Sequence, residues 1–150
     1  EITSAASIKL ASASPGLFAF PGREPRTGIL LHSRNIGLQD GTPVTSDTPA
    51  RPGEIVTVWA TGLRVPSDQD LVAGVPNHAS ALPLNGVAGY MNGEPAQVIS
   101  ANLPRNAVGI YEVRIALPES VSTLRTAQLV ISQDGNTSNT VTFPFQPVAR

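Results

Sequence analysis

Residues that interrupt helices recur at short intervals throughout this chain. Thirteen glycines and fourteen prolines are spread over its 150 residues, and no stretch repeats apolar residues with the period of an amphipathic helix. Short runs that are rich in β-branched residues or alternate in polarity lie between the interruptions, and such runs are typical of strands. The sequence therefore predicts an all-β protein with about seven to nine short strands.

The strand and turn signals agree with each other. Strands are predicted over residues 8–11, 29–32, 54–61, 87–91, 96–101, 110–117, 126–132 and 140–145, with a further short strand near 17–20. Hairpin tips need residues that tolerate a positive φ, and three dipeptides supply them: Asp40-Gly41, Asn92-Gly93 and Asp134-Gly135. Residues 64–83 show no periodicity, so we expect a long irregular connection that crosses between the sheets of a Greek key. The whole pattern predicts an immunoglobulin-like β-sandwich.

Composition excludes several classes of function. Only 14% of the residues are charged and the formal net charge is −1, so the chain offers no basic field for nucleic acid. It contains no cysteine, which excludes disulfides, zinc–thiolate sites and thiol nucleophiles. No apolar run approaches the roughly 20 residues of a membrane span, so membrane insertion is not expected. The first four residues lack the regions of a signal peptide, and we interpret the start as a cut through a longer protein.

The side chains that could carry chemistry do not form a recognisable catalytic set. His32 and His78 lie far apart and have no metal-ligand spacing, so both are expected at solvated or turn positions. No Gly-x-Ser-x-Gly elbow and no carboxylate pair stand out, so the sequence predicts neither an enzyme nor a cofactor. Asp68 and Asp70 could offer oxygen ligands to calcium, but two acids in a polar loop are more often solvated. We predict no metal site, with these two aspartates as weak calcium candidates.

Two aromatic residues give structural hypotheses. The string Gly109-Ile110-Tyr111 enters a predicted strand like the tyrosine corner of immunoglobulin-like domains, whose hydroxyl bonds upstream backbone. The bonding partner is expected within residues 101–106, and an ordinary strand tyrosine is the alternative. Trp59 is predicted to fill the core rather than to serve as a sugar platform. Strand alternation also allows the smaller apolar residues beside it to face inward, which would leave Trp59 partly exposed.

Several strings together resemble one bacterial family. Residues 14–18 read Ser-Pro-Gly-Leu-Phe, residues 49–63 read Pro-Ala-Arg-Pro-Gly-Glu-Ile-Val-Thr-Val-Trp-Ala-Thr-Gly-Leu, and residues 92–98 read Asn-Gly-Glu-Pro-Ala-Gln-Val. With the Gly-x-Tyr string, they make residues 14–145 similar to a C-terminal domain abundant in large exported proteins of Solibacter and other Acidobacteria. The resemblance implies an immunoglobulin-like fold, similar to IPT/TIG domains, and no catalytic residues. Glu112 and Arg114 depart from it, since they replace more neutral residues and alter the surface charge.

The resemblance also frames the domain organisation and the function. Residues 1–14 are interpreted as an N-terminal segment, either the last strand of a preceding unit or a strand captured by this one, and residues 15–150 as the domain. We predict a non-catalytic structural or interaction module of a larger exported or cell-surface protein, whose partners are neighbouring domains and a protein or glycan. The alternative is a carbohydrate-binding module accessory to an exported enzyme. That alternative needs two or three exposed aromatic side chains on one face.

Overall fold

The protein is described by a computed structural model, which covers residues 5–34, 37–119 and 123–147. These residues form eleven strands and no helix, so the all-β prediction is confirmed. No helix that could cross a membrane occurs among them. In chain order the strands are β1 (Gly16–Leu17), β2 (Arg26–Thr27), β3 (Leu30–Arg34), β4 (Ile55–Thr61), β5 (Leu82–Pro83), β6 (Ala88–Met91), β7 (Glu94–Leu103), β8 (Tyr111–Ala116), β9 (Thr126–Gln133), β10 (Asn136–Thr137) and β11 (Val141–Pro144).

Most predicted strands are found within two residues of their expected limits. The seven predicted from residue 29 onward correspond to β3, β4, β6, β7, β8, β9 and β11. The short strand predicted near residues 17–20 is reduced to β1, which ends at Leu17. The strand predicted over residues 8–11 is wrong, because that segment carries no strand and its apolar side chains are exposed. Alternation over four residues does not by itself provide a pairing partner.

The strands form one strongly curled mixed sheet, which resembles half of a barrel rather than two clearly separate sheets. The main path runs β1-β4-β8-β7-β6-β9-β11-β2, while β3, β5 and β10 pair with β4, β7 and β9. Among these strands every pair is antiparallel except β2 with β11. The continuous sheet differs from the expected two-sheet arrangement, and the cause lies in β7.

Strand β7 is long enough to belong to both halves of the sheet. Its residues 94–96 pair with β6, whereas residues 97–102 pair with β8. The register along β8 shifts between Val98 and Ser100, which marks a bulge or irregularity. A bulge bends its strand and increases the local twist. Strand β7 therefore turns the sheet around the core instead of ending one sheet before another begins.

One hydrophobic core lies inside the curl. Successive side chains of a strand point to opposite faces, and the central strands bury every second residue. The residues buried in this way include Val56, Val58, Val113, Ile115, Leu129 and Ile131. Phe143 and Phe145 pack edge to face, with ring centroids 6.3 Å apart. All of these side chains belong to a single contiguous cluster, so both halves of the sheet share one core.

Two of the three predicted Asx-Gly hairpin tips are confirmed. Asn92 and Gly93 have φ angles of 51° and 82° and join β6 to β7. Asp134 and Gly135 have φ angles of 53° and 78° and join β9 to β10, so this hairpin returns sooner than predicted. Positive φ at both central residues is the geometry of a type I′ turn, whose twist matches that of the strands. At the third predicted tip, Asp40-Gly41, only Gly41 has a positive φ, of 87°, and the chain returns to β3 through an isolated bridge between Leu31 and Pro43 rather than through a second strand.

The side chain of Asn139 joins strand β1 to the connection between β10 and β11. The Leu17 N–H donates to Asn139 Oδ1 at 2.7 Å, and Asn139 Nδ2 donates to the Leu17 carbonyl at 3.1 Å. One amide side chain thus bonds both backbone groups of Leu17, as a neighbouring strand would. This contact joins β1, which pairs with β4, to the connection that precedes β11.

The long connection between β4 and β5 is irregular, as predicted, and two buried amides hold it in place. Gln133 accepts a hydrogen bond from the Arg64 N–H at 2.5 Å, and its Nε2 donates to the Asn85 carbonyl at 2.8 Å. Asn77 donates from Nδ2 to the Leu103 carbonyl at 3.3 Å. Buried polar groups are stable when they are bonded in this way. Sequence reasoning missed both residues, because the partners that join them to other parts of the fold are distant in the chain.

An exposed ion pair reinforces this anchor. Arg64 Nε donates to Asp134 Oδ2 at 2.6 Å, and Nη2 donates to Oδ1 at 3.1 Å. The hydrogen bond from Arg64 holds the pKa of the Asp134 carboxyl below its ordinary value of 3.8, and it raises the pKa of Arg64. Salt screens such an exposed pair, so its contribution to stability is small.

The stability that this pair provides should disappear in acid. Because the folded pKa of Asp134 is depressed, its contribution is present above pH 3.8 and is lost as pH falls through the folded pKa. We expect the stability difference between wild type and Asp134→Asn to favour wild type more at about pH 6 than at about pH 2. Urea denaturation at both pH values measures this. A difference that does not change with pH would contradict the assigned pair.

Gly62 is the glycine of the Ala-Thr-Gly-Leu string, and its surroundings show why a glycine is required there. Its φ is +71°, and a Cβ placed on it would lie 1.9 Å from the Ser14 carbonyl oxygen. The two residues are also joined by a hydrogen bond of 2.8 Å from the Ser14 N–H to the Gly62 carbonyl. The end of β4 therefore approaches the N-terminal segment at a distance that only glycine permits.

Gly62→Ala should lower the free energy of unfolding by about 2–3 kcal/mol, since it adds a backbone clash to an unfavourable φ. Gly93→Ala is the matched control, because Gly93 has a φ of +82° but nothing within 4 Å of its Cβ position. The control should lose about 1 kcal/mol, from the φ alone. Urea denaturation of both variants gives the comparison. Equal losses would show that the Ser14 contact carries no steric cost.

Candidate functional site

The position of Trp59 is set by the alternation of β4. Val56, Val58 and Ala60 are buried in the core, so the residues between them lie on the opposite, outer face. Trp59 is accordingly half-buried on that outer face. The prediction that Trp59 fills the core is wrong, and the alternative, with the smaller residues facing inward, is confirmed. The reason is that three small apolar residues already occupy the inward positions of this strand.

A shallow groove lies on the outer face beside Trp59. In the register, Trp59 is opposite Glu112 and Thr57 is opposite Arg114 on β8. Together with residues 31–33 of β3 and with Asp40 and Gly41, these strands line a cavity of about 350 Å³. We call it the Trp59 groove, and the residues that matter for its chemistry are Ser33, Asp40, Thr57, Trp59, Glu112 and Arg114.

The charged side chains of the Trp59 groove have no partners among the residues that the structure describes. Asp40 and Glu112 contribute two carboxylates and Arg114 one guanidinium, and none makes a hydrogen bond or an ion pair with another described residue. Glu112 and Arg114 are nevertheless half-buried. Ser33 and Thr57 bond each other through their hydroxyls. The groove therefore presents both acceptors and donors beside an aromatic ring.

Two further aromatic side chains, Phe18 and Phe20, follow strand β1, which pairs with the end of β4 that carries Trp59. Strand β1 pairs with the end of β4, and the Phe18 N–H donates to the Trp59 carbonyl at 3.1 Å. Leu17 is 6% exposed, whereas Phe18 and Phe20 are 41% and 54% exposed, so the phenylalanines lie on the outer face with Trp59. The structure thus brings three aromatic residues to one face. Sequence reasoning missed the phenylalanines, although their alternation with Leu17 and Ala19 carries the signal.

A buried pair of hydrogen-bonded side chains, His32 and Glu54, lies beneath one side of the groove. His32 is 1% exposed, its Nδ1 bonds Glu54 Oε1, and its Nε2 donates to the Thr48 carbonyl at 3.0 Å. Glu54 Oε2 accepts the Arg51 N–H at 2.9 Å. The prediction of a solvated or turn position is therefore wrong for His32, because alternation along β3 places it on the inward face with Leu30. It holds for His78, which is exposed in the long loop.

The expected tyrosine corner is not formed by Tyr111. The side chain is 7% exposed, and burial raises the pKa of its hydroxyl. The hydroxyl makes no hydrogen bond with the described residues, which include the whole of the expected partner segment 101–106. Gly109 has a φ of +63° and accepts a hydrogen bond from the Thr61 hydroxyl at 3.0 Å. The string therefore contributes a buried ring and a turn, without the bond to upstream backbone.

The weak calcium candidates lie far from a cluster of ligands. Asp68 and Asp70 are both exposed in the long connection, and Asp68 Oδ1 accepts only a long bond, of 3.4 Å, from the neighbouring Gln69. Within residues 5–34, 37–119 and 123–147, no group of three or more histidine, cysteine or acidic side chains could hold a metal ion.

Comparison with known proteins identifies no relative of this chain. The sequence matches no protein-family model, and searches of the curated proteins and of the solved structures give no match.

Proposed function

We propose that this protein is a non-catalytic interaction module with an immunoglobulin-like fold, and that the Trp59 groove is its binding surface. The module belongs to a larger exported or cell-surface protein, in which neighbouring domains flank it. One observation carries this proposal: the groove holds half-buried charged groups that no described residue satisfies. Unpaired charges in a half-buried position are unfavourable, and a bound partner removes that cost.

The order of the strands supports the immunoglobulin-like part of the proposal. In constant-type domains one sheet has the order A-B-E-D and the other C-F-G. With β3 as A, β4 as B, β6 as C, the second half of β7 as D, β8 as E, β9 as F and β11 as G, the curled sheet has both orders. The difference is that β7 continues into β6 and joins the two halves.

The same assignment accounts for the missing corner. In immunoglobulin-like domains the corner tyrosine is near the start of strand F. Tyr111 begins β8, which corresponds to strand E rather than to strand F. The short Gly-x-Tyr string does not distinguish these two strands.

The sequence supports a non-catalytic and extracytoplasmic role. It contains no cysteine and no nucleophile elbow, and Lys9 is its only lysine. Its strings resemble the acidobacterial domain family of large exported proteins. Fractionation of cells with an antibody against this domain tests the location. Detection in the cytosol alone would overturn the proposal of export.

The binding surface can be tested by retention of the purified domain on cell-envelope preparations from its own organism. Trp59→Ala and Arg114→Ala should each reduce retention about tenfold, since buried aromatic and arginine side chains dominate binding surfaces. Tyr90→Ala and Arg105→Ala are matched controls, because both residues are exposed outside the groove. Equal retention of all four variants would overturn the assignment of the groove.

A further inference from the structure

We infer that the Trp59 groove binds a neutral oligosaccharide. This inference rests on the proposed function, because it names the partner of the same surface. It follows from three features of the outer face: the aromatic row, the mixture of donors and acceptors that have no partner among the described residues, and the size and shape of the groove.

The aromatic row provides an apolar platform at the groove and beside it. Phe18 on the extension of β1 lies beside Trp59 on β4, and Phe20 lies two residues further along. A sugar ring has one face of C–H groups that packs on an aromatic ring, while its hydroxyls remain at the edge. Phe18 and Phe20 are about half exposed, so this area is available to a ligand.

The polar groups of the groove match hydroxyls rather than an ion. A hydroxyl both donates and accepts, and the groove offers carboxylate acceptors from Asp40 and Glu112 and guanidinium donors from Arg114. A polyanion would meet two carboxylates, and a cation would meet the guanidinium. A neutral polyol can bond all three charged groups at once, through charge-assisted hydrogen bonds.

The shape of the surface fits a chain of sugars rather than an isolated ring. The cavity of about 350 Å³ is at the lower end of the range of small-molecule sites, which is roughly 300–1,000 Å³. The row Phe18, Trp59, Glu112 crosses three neighbouring strands, which are spaced about 5 Å apart. One sugar unit can occupy the groove while the next unit lies on the exposed aromatic rings.

An array of defined oligosaccharides that includes neutral, sulfated and sialylated members tests the inference. The domain should bind neutral members, and Trp59→Phe and Arg114→Gln should each weaken binding to the captured glycan about tenfold or more. Tyr90→Ala and Arg105→Ala should bind as wild type does. Thermal melts of the same variants, with midpoints close to wild type, exclude unfolding as the cause of weaker binding. Phe18→Ser gives an independent test, because the Phe18 ring is more exposed than the Trp59 ring.

The outcomes separate this inference from the proposed function. The inference of an oligosaccharide ligand is wrong if the domain binds nothing on the array, or if Trp59→Phe and Arg114→Gln leave the binding unchanged. Preference for sulfated or sialylated members also overturns it. If Arg114→Gln instead strengthens binding of a lysine-rich peptide, the occupant is a cation held by the ring and the carboxylates. In each of these cases, the proposed function still holds if retention on the cell envelope depends on the groove residues. If the groove variants are retained as well as wild type, the proposed function and the oligosaccharide inference are both wrong.

Discussion

Replacement of Glu54 by alanine should lower the free energy of unfolding by about 3–5 kcal/mol, because it breaks the buried His32–Glu54 pair by removing one of its two side chains. Both side chains are inaccessible, and the pair joins β3 to the start of β4. Glu54 also accepts the Arg51 N–H, so the substitution removes a second buried acceptor. A single change thereby disturbs two elements next to the candidate site.

The Thr48 carbonyl fixes part of the hydrogen-bond pattern of this pair. A carbonyl oxygen only accepts, so Nε2 of His32 carries a proton. One further proton is shared between Nδ1 and Glu54 Oε1, whichever of the two atoms holds it. Glu54→Gln keeps the shape of the side chain and one carbonyl acceptor. It should therefore cost less than Glu54→Ala, and the difference between the two variants measures what the retained side-chain shape and hydrogen bonds contribute.

A double variant separates the pair from the space that it fills. His32→Phe with Glu54→Leu replaces the buried polar pair by apolar groups, and such replacements are often close to neutral. We expect the double variant to be more stable than Glu54→Ala, with a remaining loss of about 2 kcal/mol because the Arg51 N–H and the Thr48 carbonyl each lose a hydrogen bond. Urea denaturation gives all values. A Glu54→Ala variant within about 0.5 kcal/mol of wild type would show that the pair is not closed in solution.

The local features of this fold could be predicted because neighbouring residues determine them. The Asn92-Gly93 tip needs two adjacent residues with positive φ, and only a few residue types provide them. The extent of β4 follows from its β-branched run between a proline-rich segment and a glycine. The sequence determines such elements over fewer than ten residues.

The arrangement of the strands depends on contacts that the sequence pattern does not contain. His32 bonds Glu54 and the Thr48 carbonyl, which are 22 and 16 residues away. Asn139 supplies both partners of the Leu17 backbone from 122 residues away. The bulge in β7, which turns two expected sheets into one curled sheet, is a shift between partner strands. Local alternation cannot reveal any of these contacts.

The candidate site was hidden for the same reason. The alternation of β4 left two faces open for Trp59, and the choice between them depends on what packs inside the curl. The groove itself combines residues from three distant parts of the chain: Asp40, Trp59 and Glu112. Glu112 and Arg114 were visible only as departures from a resembled family, and their positions beside Trp59 and Thr57 give that departure a physical meaning.

Tyr111→Ala should lower the free energy of unfolding by about 3–5 kcal/mol, because it opens an aromatic-sized cavity next to the core. The ring is 7% exposed and belongs to the buried cluster, at a position opposite Ala60 on β4. Tyr111→Phe keeps the ring and removes only a hydroxyl without a described partner, so its stability should stay within about 0.5 kcal/mol of wild type. Tyr90→Ala, which truncates an exposed strand tyrosine, is the matched control and should also be close to neutral.

The pH dependence gives a second measurement on the same proteins. Burial raises the pKa of Tyr111 above its ordinary value of 10.0, so above that pH the unfolded chain binds fewer protons than the folded one. The wild type should therefore lose stability as pH rises from about 10 through the folded pKa, and Tyr111→Phe should lack this part of the loss. Urea denaturation at about pH 7 and about pH 10.5 tests both claims. A loss of about 1 kcal/mol or more in Tyr111→Phe at neutral pH would mean that the hydroxyl bonds a buried acceptor, as a tyrosine corner requires.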